Sequence, residues 1–332
     1  MTEHNFVQRR SKIWKEFSVL ARGNKNELKK SAVTFIRYFR EITQDLNTAK
    51  ANGFDPAIIE RLNALVNEGN QILYSQHVWS LTSVAVFFLE TFPGKIRLHR
   101  RGILATTLLF YGLAFFLGFL CLKFPDTARE LVSERVLKNI ELMYNPYSEH
   151  YLTPRDVSND ADMFGYYIYN NISIAFRTFA GGIFAGIGSL FILCFNAGFL
   201  GIIAGHLTEI GYAKTFFPFI IAHAAFELTA IIFFSYAGLL LGYRFFITNG
   251  LSRSASIKNA GQDAIPIITG STLMLVIAAA IEAFWSSRYL FPLQLRIAVG
   301  SGFWILLLLY FIFAGRRILN KNNTVQGSQN EN

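Results

Sequence analysis

His223 and Glu227 stand four positions apart inside "IIAHAAFELTAIIFFSYAGLLLG", an apolar stretch long enough to cross a bilayer. Four residues is close to one helical turn, so the imidazole and the carboxyl share a face. Three kinds of chemistry suit such a pair. A His–Glu hydrogen bond can offset the cost of burying both groups. The pair can relay protons or ions along a polar path. It can also supply two ligands to a metal, which then needs a third. Ionisable groups at membrane depth are expensive and turn towards a partner, a bundle interior or water. Glu227 falls roughly 15 Å into a helix beginning near residue 217, close to mid-bilayer.

The residues that could complete this polar site are Asn196, His206 and Glu282, with Glu209 as a further ligand type. The reading adopted is a structural clasp. His223 and Glu227 bond to each other or to a shared partner, with Asn196 and His206 as the nearest candidates. No HExxH pattern occurs, nucleophile arrangements and phosphate loops are absent, and no catalytic residue, metal or cofactor is assigned. Asn196 is expected at a tight turn in "CFNAGF", where its amide would satisfy exposed backbone. Arg177 and Arg296 are expected near outer helix ends, where long basic side chains snorkel.

The composition explains why a membrane is the setting. Of 332 residues, 52% are hydrophobic and only 16% charged, against roughly 25% charged in an ordinary soluble domain. Residues 1–101 hold 16 Lys/Arg against 9 Asp/Glu. A basic part beside membrane segments points to a cytoplasmic surface facing anionic lipid. Nucleic acid is excluded as a partner because no binding motif accompanies the charge. Cys121 and Cys194 both sit in apolar stretches and provide no disulfide framework. The start of the chain lacks the apolar core of a secretory signal.

The first hundred residues read as helices. Phe6, Ile13, Trp14, Phe17 and Leu20 form one stripe, and Leu28, Ala32, Phe35, Phe39, Ile42 and Leu46 a second. Asp55 and Pro56 supply a cap and first-turn pair, with Phe54 and Ile59 at staple positions, before the stripe Ile58, Leu62, Leu65, Ile72 and Leu73. Three stripes that each need cover predict a small antiparallel bundle. An interfacial helix then breaks at Phe92–Pro93 and leads to a basic collar of Lys95, Arg97, Arg100 and Arg101.

Six crossings are predicted, near 102–122, 172–193, 197–212, 217–245, 265–284 and 296–314, with the third short and Gly-rich. This count places the collar, the cluster Arg244, Arg253 and Lys258, and the pair Arg316 and Arg317 on one side, as the positive-inside tendency requires. Segment 123–171, with eight acidic and five basic residues, then lies outside. It carries an amphipathic helix over "TARELVSERVLKNIELMY", and Tyr144, Tyr147, Tyr151, Tyr166, Tyr167 and Tyr169 as interface aromatics. Gly182/Gly186, Gly201/Gly205 and Gly238/Gly242 recur at helix-contact spacing, read chiefly as packing within one bundle. The fold class is therefore all-α: a polytopic membrane helix bundle with an N-terminal cytoplasmic bundle. The divisions are residues 1–94, a transmembrane domain over 95–315, and a disordered cytoplasmic tail over 316–332.

This pattern resembles the stage II sporulation protein M family of bacterial membrane proteins. The resemblance runs through "YFREITQDLNTAK", "LNALVNEGNQILY", "FFLETFPGKIRLHRR", "FGYYIYNNISIAFRTFAGGIFAGIGSLFILCFNAGFLGIIAGHLTE" and "HAAFELTAIIFFSYAGLLLG". The family's usual motif, His-Gly-x-Phe-Glu, keeps His223, Phe226 and Glu227 here, with Ala224 in place of the Gly; Asn171, Asn196 and Gly198 also match. The resemblance implies a non-enzymatic scaffold of the inner membrane. The named member works during endospore engulfment with two peptidoglycan-degrading proteins. The long cytoplasmic region fits the branch found in bacteria that do not sporulate, often encoded near an RDD-type membrane protein and a MoxR-type ATPase. Implied partners are thus membrane lipids, envelope proteins such as peptidoglycan hydrolases, those two neighbours, and a second copy of the chain. The alternatives are a transporter or channel with a His223–Glu227 polar path, and an intramembrane metalloenzyme.

Overall fold

The computed structural model describes residues 2–23, 31–73, 81–148, 158–288 and 291–316. Leu28 and Tyr151, and the tail beyond residue 316, lie outside the described residues. Every regular element among those described is helical, and the chain divides into two compact units, Met1–Ser80 and Leu81–Asn332.

The first unit contains α1 (Glu3–Arg22), α2 (Ala32–Ala51) and α3 (Pro56–Leu73). Their apolar stripes meet in one core, where Phe6, Trp14, Phe17, Phe35, Ile42, Leu46, Leu62 and Leu65 are buried. The start of α3 follows from its cap. Asp55 Oδ1 accepts the Ala57 N–H at 2.7 Å, Pro56 needs no N–H partner at this position, and Phe54 closes on the Phe6 ring at 5.3 Å. The core also holds a charge that the stripes do not reveal. Asp45, 6% exposed, accepts from Trp14 Nε1 at 2.8 Å and from Arg10 Nε at 2.8 Å, while Arg10 also pairs with Glu41 at 2.9 Å. Nearby, Tyr38 donates to Glu16 at 2.6 Å, and that bond holds the phenol above its ordinary pKa.

The second unit begins with α4 (Leu81–Val86) and α5 (Phe92–Leu98). The expected break at Phe92–Pro93 is absent. A π turn over Phe87–Thr91 joins the two helices and accommodates the proline, which has no N–H to offer the Leu89 carbonyl. That carbonyl instead accepts from the Gly315 N–H at 2.9 Å, and Tyr310 donates to Phe88 O at 2.5 Å. Gly315 has φ 72° and packs on Gly94, where a side chain would collide with backbone.

Among the described residues six long helices follow, with a short pair after the first. They are α6 (Arg100–Lys123), then after α7 (Asp126–Leu131) and α8 (Glu134–Tyr144), α9 (Ser158–Ala180), α10 (Ile187–Glu209), α11 (Ala213–Phe246), α12 (Arg253–Ile281) and α13 (Leu293–Phe313). A π turn, Glu282–Ser286, extends α12. Five of the six are long and apolar enough to cross a membrane. The remaining one, α9, is 23 residues long but carries Asp160, Asp162 and Arg177. The predicted amphipathic helix is two, parted at Val132–Ser133.

Contacts give the helix directions. Lys95 and His99 reach Asp263 at 2.5 and 3.3 Å, His99 meets Tyr236, and Arg97 donates to Ala314 O, so these residues share one end. At the other end Glu141 meets His206, Thr215 donates to Tyr144 O and Arg288 pairs with Asp160. Each long helix therefore runs opposite to the next. Helix α11 is central, packing on α6, α9, α10, α12 and α13.

The second and third predicted segments need correction. The chain turns at Gly181–Gly186, not at "CFNAGF", so the polar segment predicted over 123–171 gives way to helix at Ser158, and the third long helix is a full 23 residues rather than short. The turn forms where glycine tolerates it: Gly186 has φ 85°, beside Ala185 at 56°. Asn196 lies within α10, where Nδ2 donates to Ile192 O at 2.8 Å. Its amide is satisfied one turn back, so the helix continues through it. The Gly pairs pack inside the chain, Gly182 on Gly238, Gly186 on Gly242, Gly201 on Ala114 and Gly205 on Gly118.

Candidate functional site

Helix α11 presents His223 and Glu227 one turn apart, and the π turn after α12 presents Glu282 and Ser286 in the same way. The two helices run antiparallel, so the pairs meet in reverse order. His223 Nδ1 lies 3.0 Å from Ser286 Oγ. One ligand atom each from His223, Glu227 and Glu282 falls within 4.8 Å of the others. A π turn adds one residue per turn and re-aims side chains without ending the helix; here it brings both Glu282 and Ser286 onto α11.

The surroundings hold this constellation in place. Arg296, 3% exposed, donates to Ser286 O at 3.2 Å, so it is a buried strut of the π turn and does not snorkel. Ser287 donates back to Ala283 O at 2.6 Å. Phe219 lies edge-on to the His223 ring at 5.4 Å, Trp304 Nε1 donates to Ile221 O at 3.1 Å, and Phe226 packs on Phe303. Arg177 is exposed at the end of α9 that meets the basic residues, opposite to its expected end.

A cavity of about 280 Å³ opens against the same face of α11. Its walls include Phe110 of α6, Tyr144 of α8, Asn196 and Ile203 of α10, and His223 and Glu227. Its lining is mostly apolar, with Asn196 on the α10 side and His223 and Glu227 on the α11 side as polar groups, the usual character of a small-ligand pocket. His223 and Glu227 thus touch both the cavity and Glu282.

Of the predicted polar set, His223, Glu227 and Glu282 come together, and Asn196 joins them across the cavity. His206 does not. Its Nε2 meets Glu141 Oε1 at 2.7 Å, a separate, part-buried contact that pins α8 to α10. The expected partners of the clasp are therefore replaced by Ser286. The reason is positional: Ser286 of the π turn reaches His223 Nδ1 directly, while Asn196 of α10 stands across the cavity. Asn171 is buried in α9, accepting from Asn170 Nδ2 at 3.1 Å, while its own Nδ2 finds no partner among the described residues. Gly198 lies against Leu117.

Two features escaped the sequence reading. Ser286 had a signal, since Glu282 and Ser286 repeat the four-residue spacing of His223 and Glu227. The cluster of Lys95, His99, Tyr236 and Asp263 had a weaker one, an aspartate just ahead of an apolar run.

Fold and site together define an all-α polytopic membrane protein in which buried His223 and half-buried Glu227 and Glu282 cluster beside a cavity among the helices. Residues 107–287, more than half of the chain, match the family described as Stage II sporulation protein M. The chain belongs to the stage II sporulation protein M family. Residues 4–75 match a second family, described only as a domain of unknown function. No curated protein and no solved structure matches the chain.

Proposed function

We propose that this protein is a non-enzymatic organiser in the bacterial inner membrane, holding envelope or peptidoglycan-remodelling machinery. The observation that carries this reading is the charge of the bundle ends. Lys95, Arg97, Arg100, Arg101, Arg244, Arg253 and Arg316 gather at one end, linked through His99, Tyr236, Asp263 and Ala314. By the positive-inside tendency that end faces the cytoplasm. The N-terminal unit and the tail are then cytoplasmic, and α7 and α8 face outward. A membrane protein that presents one set of helices to the cytoplasm and another to the outside can couple cytoplasmic partners to envelope ones. The partners proposed are peptidoglycan hydrolases, an RDD-type membrane protein and a MoxR-type ATPase, with a second copy of the chain as a further candidate.

The test is deletion of residues 1–80. The truncated protein should insert and accumulate, lose the cytoplasmic partners recovered with the full chain, and leave the envelope phenotype of a null strain. Full complementation by the truncated protein overturns the reading. A polar transport path has one observation in its favour, the cavity reaching Asn196, His223 and Glu227. On the organiser reading, Glu227→Gln keeps the shape and preserves the phenotype, while Glu227→Leu impairs it. Under transport, or if a metal held by Glu227 carries the function, both abolish it at normal protein abundance.

A further inference from the structure

One ligand atom each from His223, Glu227 and Glu282 lies within 4.8 Å of the others inside an apolar bundle, a spacing that a shared cation can close. We propose that His223, Glu227 and Glu282 bind a divalent transition metal ion of the zinc class, with a fourth coordination position facing the cavity. The donor set is one nitrogen and two carboxylate oxygens, which suits zinc and its first-row neighbours and is the usual complement of three protein ligands that leaves one position open. Bonds of about 2.0–2.2 Å in a tetrahedral site set ligand atoms roughly 3.3 Å apart. The ligand atoms, up to 4.8 Å apart, must therefore draw together by roughly 1.5 Å or less to share one ion.

Three further observations point the same way. Ser286 Oγ engages His223 Nδ1, which orients the ring and leaves Nε2 as the donor; such second partners are the rule for metal-bound histidine. Arg296 holds the Ser286 carbonyl, so the turn carrying Glu282 is fixed from the next helix. The cavity of about 280 Å³ meets His223 and Glu227, giving room for a water or a ligand group at the open position. The nearest competing site, His206 with Glu141, has two ligand residues and no third acidic or thiol group close enough to join them among the described residues.

This inference is independent of the organiser reading, since occupancy and not phenotype is measured. The full-length protein is purified in detergent, stripped with a chelator and titrated with Co²⁺, then with Zn²⁺. Folded wild-type protein should bind one equivalent of Co²⁺ with the visible absorption of a low-coordinate nitrogen–oxygen site, and Zn²⁺ should displace it while excess Mg²⁺ does not. Glu282→Gln and His223→Asn should each weaken binding at least tenfold, Glu282→Asp should retain it, and His206→Asn should leave it unchanged. Absence of a stoichiometric Co²⁺ signal in folded wild-type protein overturns the proposal whatever the variants do. So does binding that survives Glu282→Gln, or that is lost in His206→Asn.

Discussion

Asp45→Ala in the N-terminal unit tests whether a buried polar knot, and not the apolar stripes alone, holds that bundle together. Two interactions end with the carboxylate. The Trp14 indole N–H, buried and 2.8 Å from Asp45, is left without an acceptor, which costs about 1–3 kcal/mol. Arg10, a quarter exposed at its side chain and already paired with Glu41, can turn to water, so losing its second partner costs about 0–1 kcal/mol. The expected loss is about 1–4 kcal/mol. A domain of this size has roughly 4–12 kcal/mol in total, so the variant should still fold over most of that range. With a urea slope of about 1 kcal/mol per molar, its midpoint should fall by roughly 1–4 M. Far-UV circular dichroism of a fragment over residues 1–80 provides the measurement. Repeating it in a Trp14→Phe background isolates the indole bond, and there the Asp45→Ala cost should shrink by about 1 kcal/mol or more. A loss below about 0.5 kcal/mol, or an equal loss in both backgrounds, would refute the reasoning.

Topology can be checked with Ala255→Cys in protein lacking Cys121 and Cys194, which should label only from the cytoplasmic side; labelling from the outside reverses the assignment of the basic end. Gly182→Leu, in the turn after α9, forces a side chain into the Gly238 backbone, whereas Gly165→Leu on α9 meets open space. The first should lower the thermal midpoint in detergent by several degrees, at a cost of about 1–3 kcal/mol, and the second should leave it unchanged; equal midpoints would show that the contact is not tight.

Much of this protein is readable along the chain. The period of Trp14, Phe17, Phe35, Ile42 and Leu62 determined the N-terminal core, because a helix that must hide one face writes that face into its sequence. Asp55 and Pro56 marked the start of α3 for the same local reason. Runs of apolar residues set most of the long helices, and the spacing of His223 and Glu227 set their common face. Tertiary structure decided the rest, where one residue type serves two ends. Glycine both turns a chain and lets helices touch, so "GGIFAG" and "NAGFLG" look alike until partners are known; the first became the turn and the second became packing against α6. Asn196 could cap a turn or bond one turn back within a helix, and the longer helix won. Polar partners were the least legible part. Ser286 meets His223, Gly315 satisfies Leu89, and Glu141 meets His206 across 63, 226 and 65 positions of sequence. Hydropathy and spacing report which face of a helix is hidden, but not which neighbour hides it. That choice is made by helix direction and close backbone packing, which exist only once the bundle has formed.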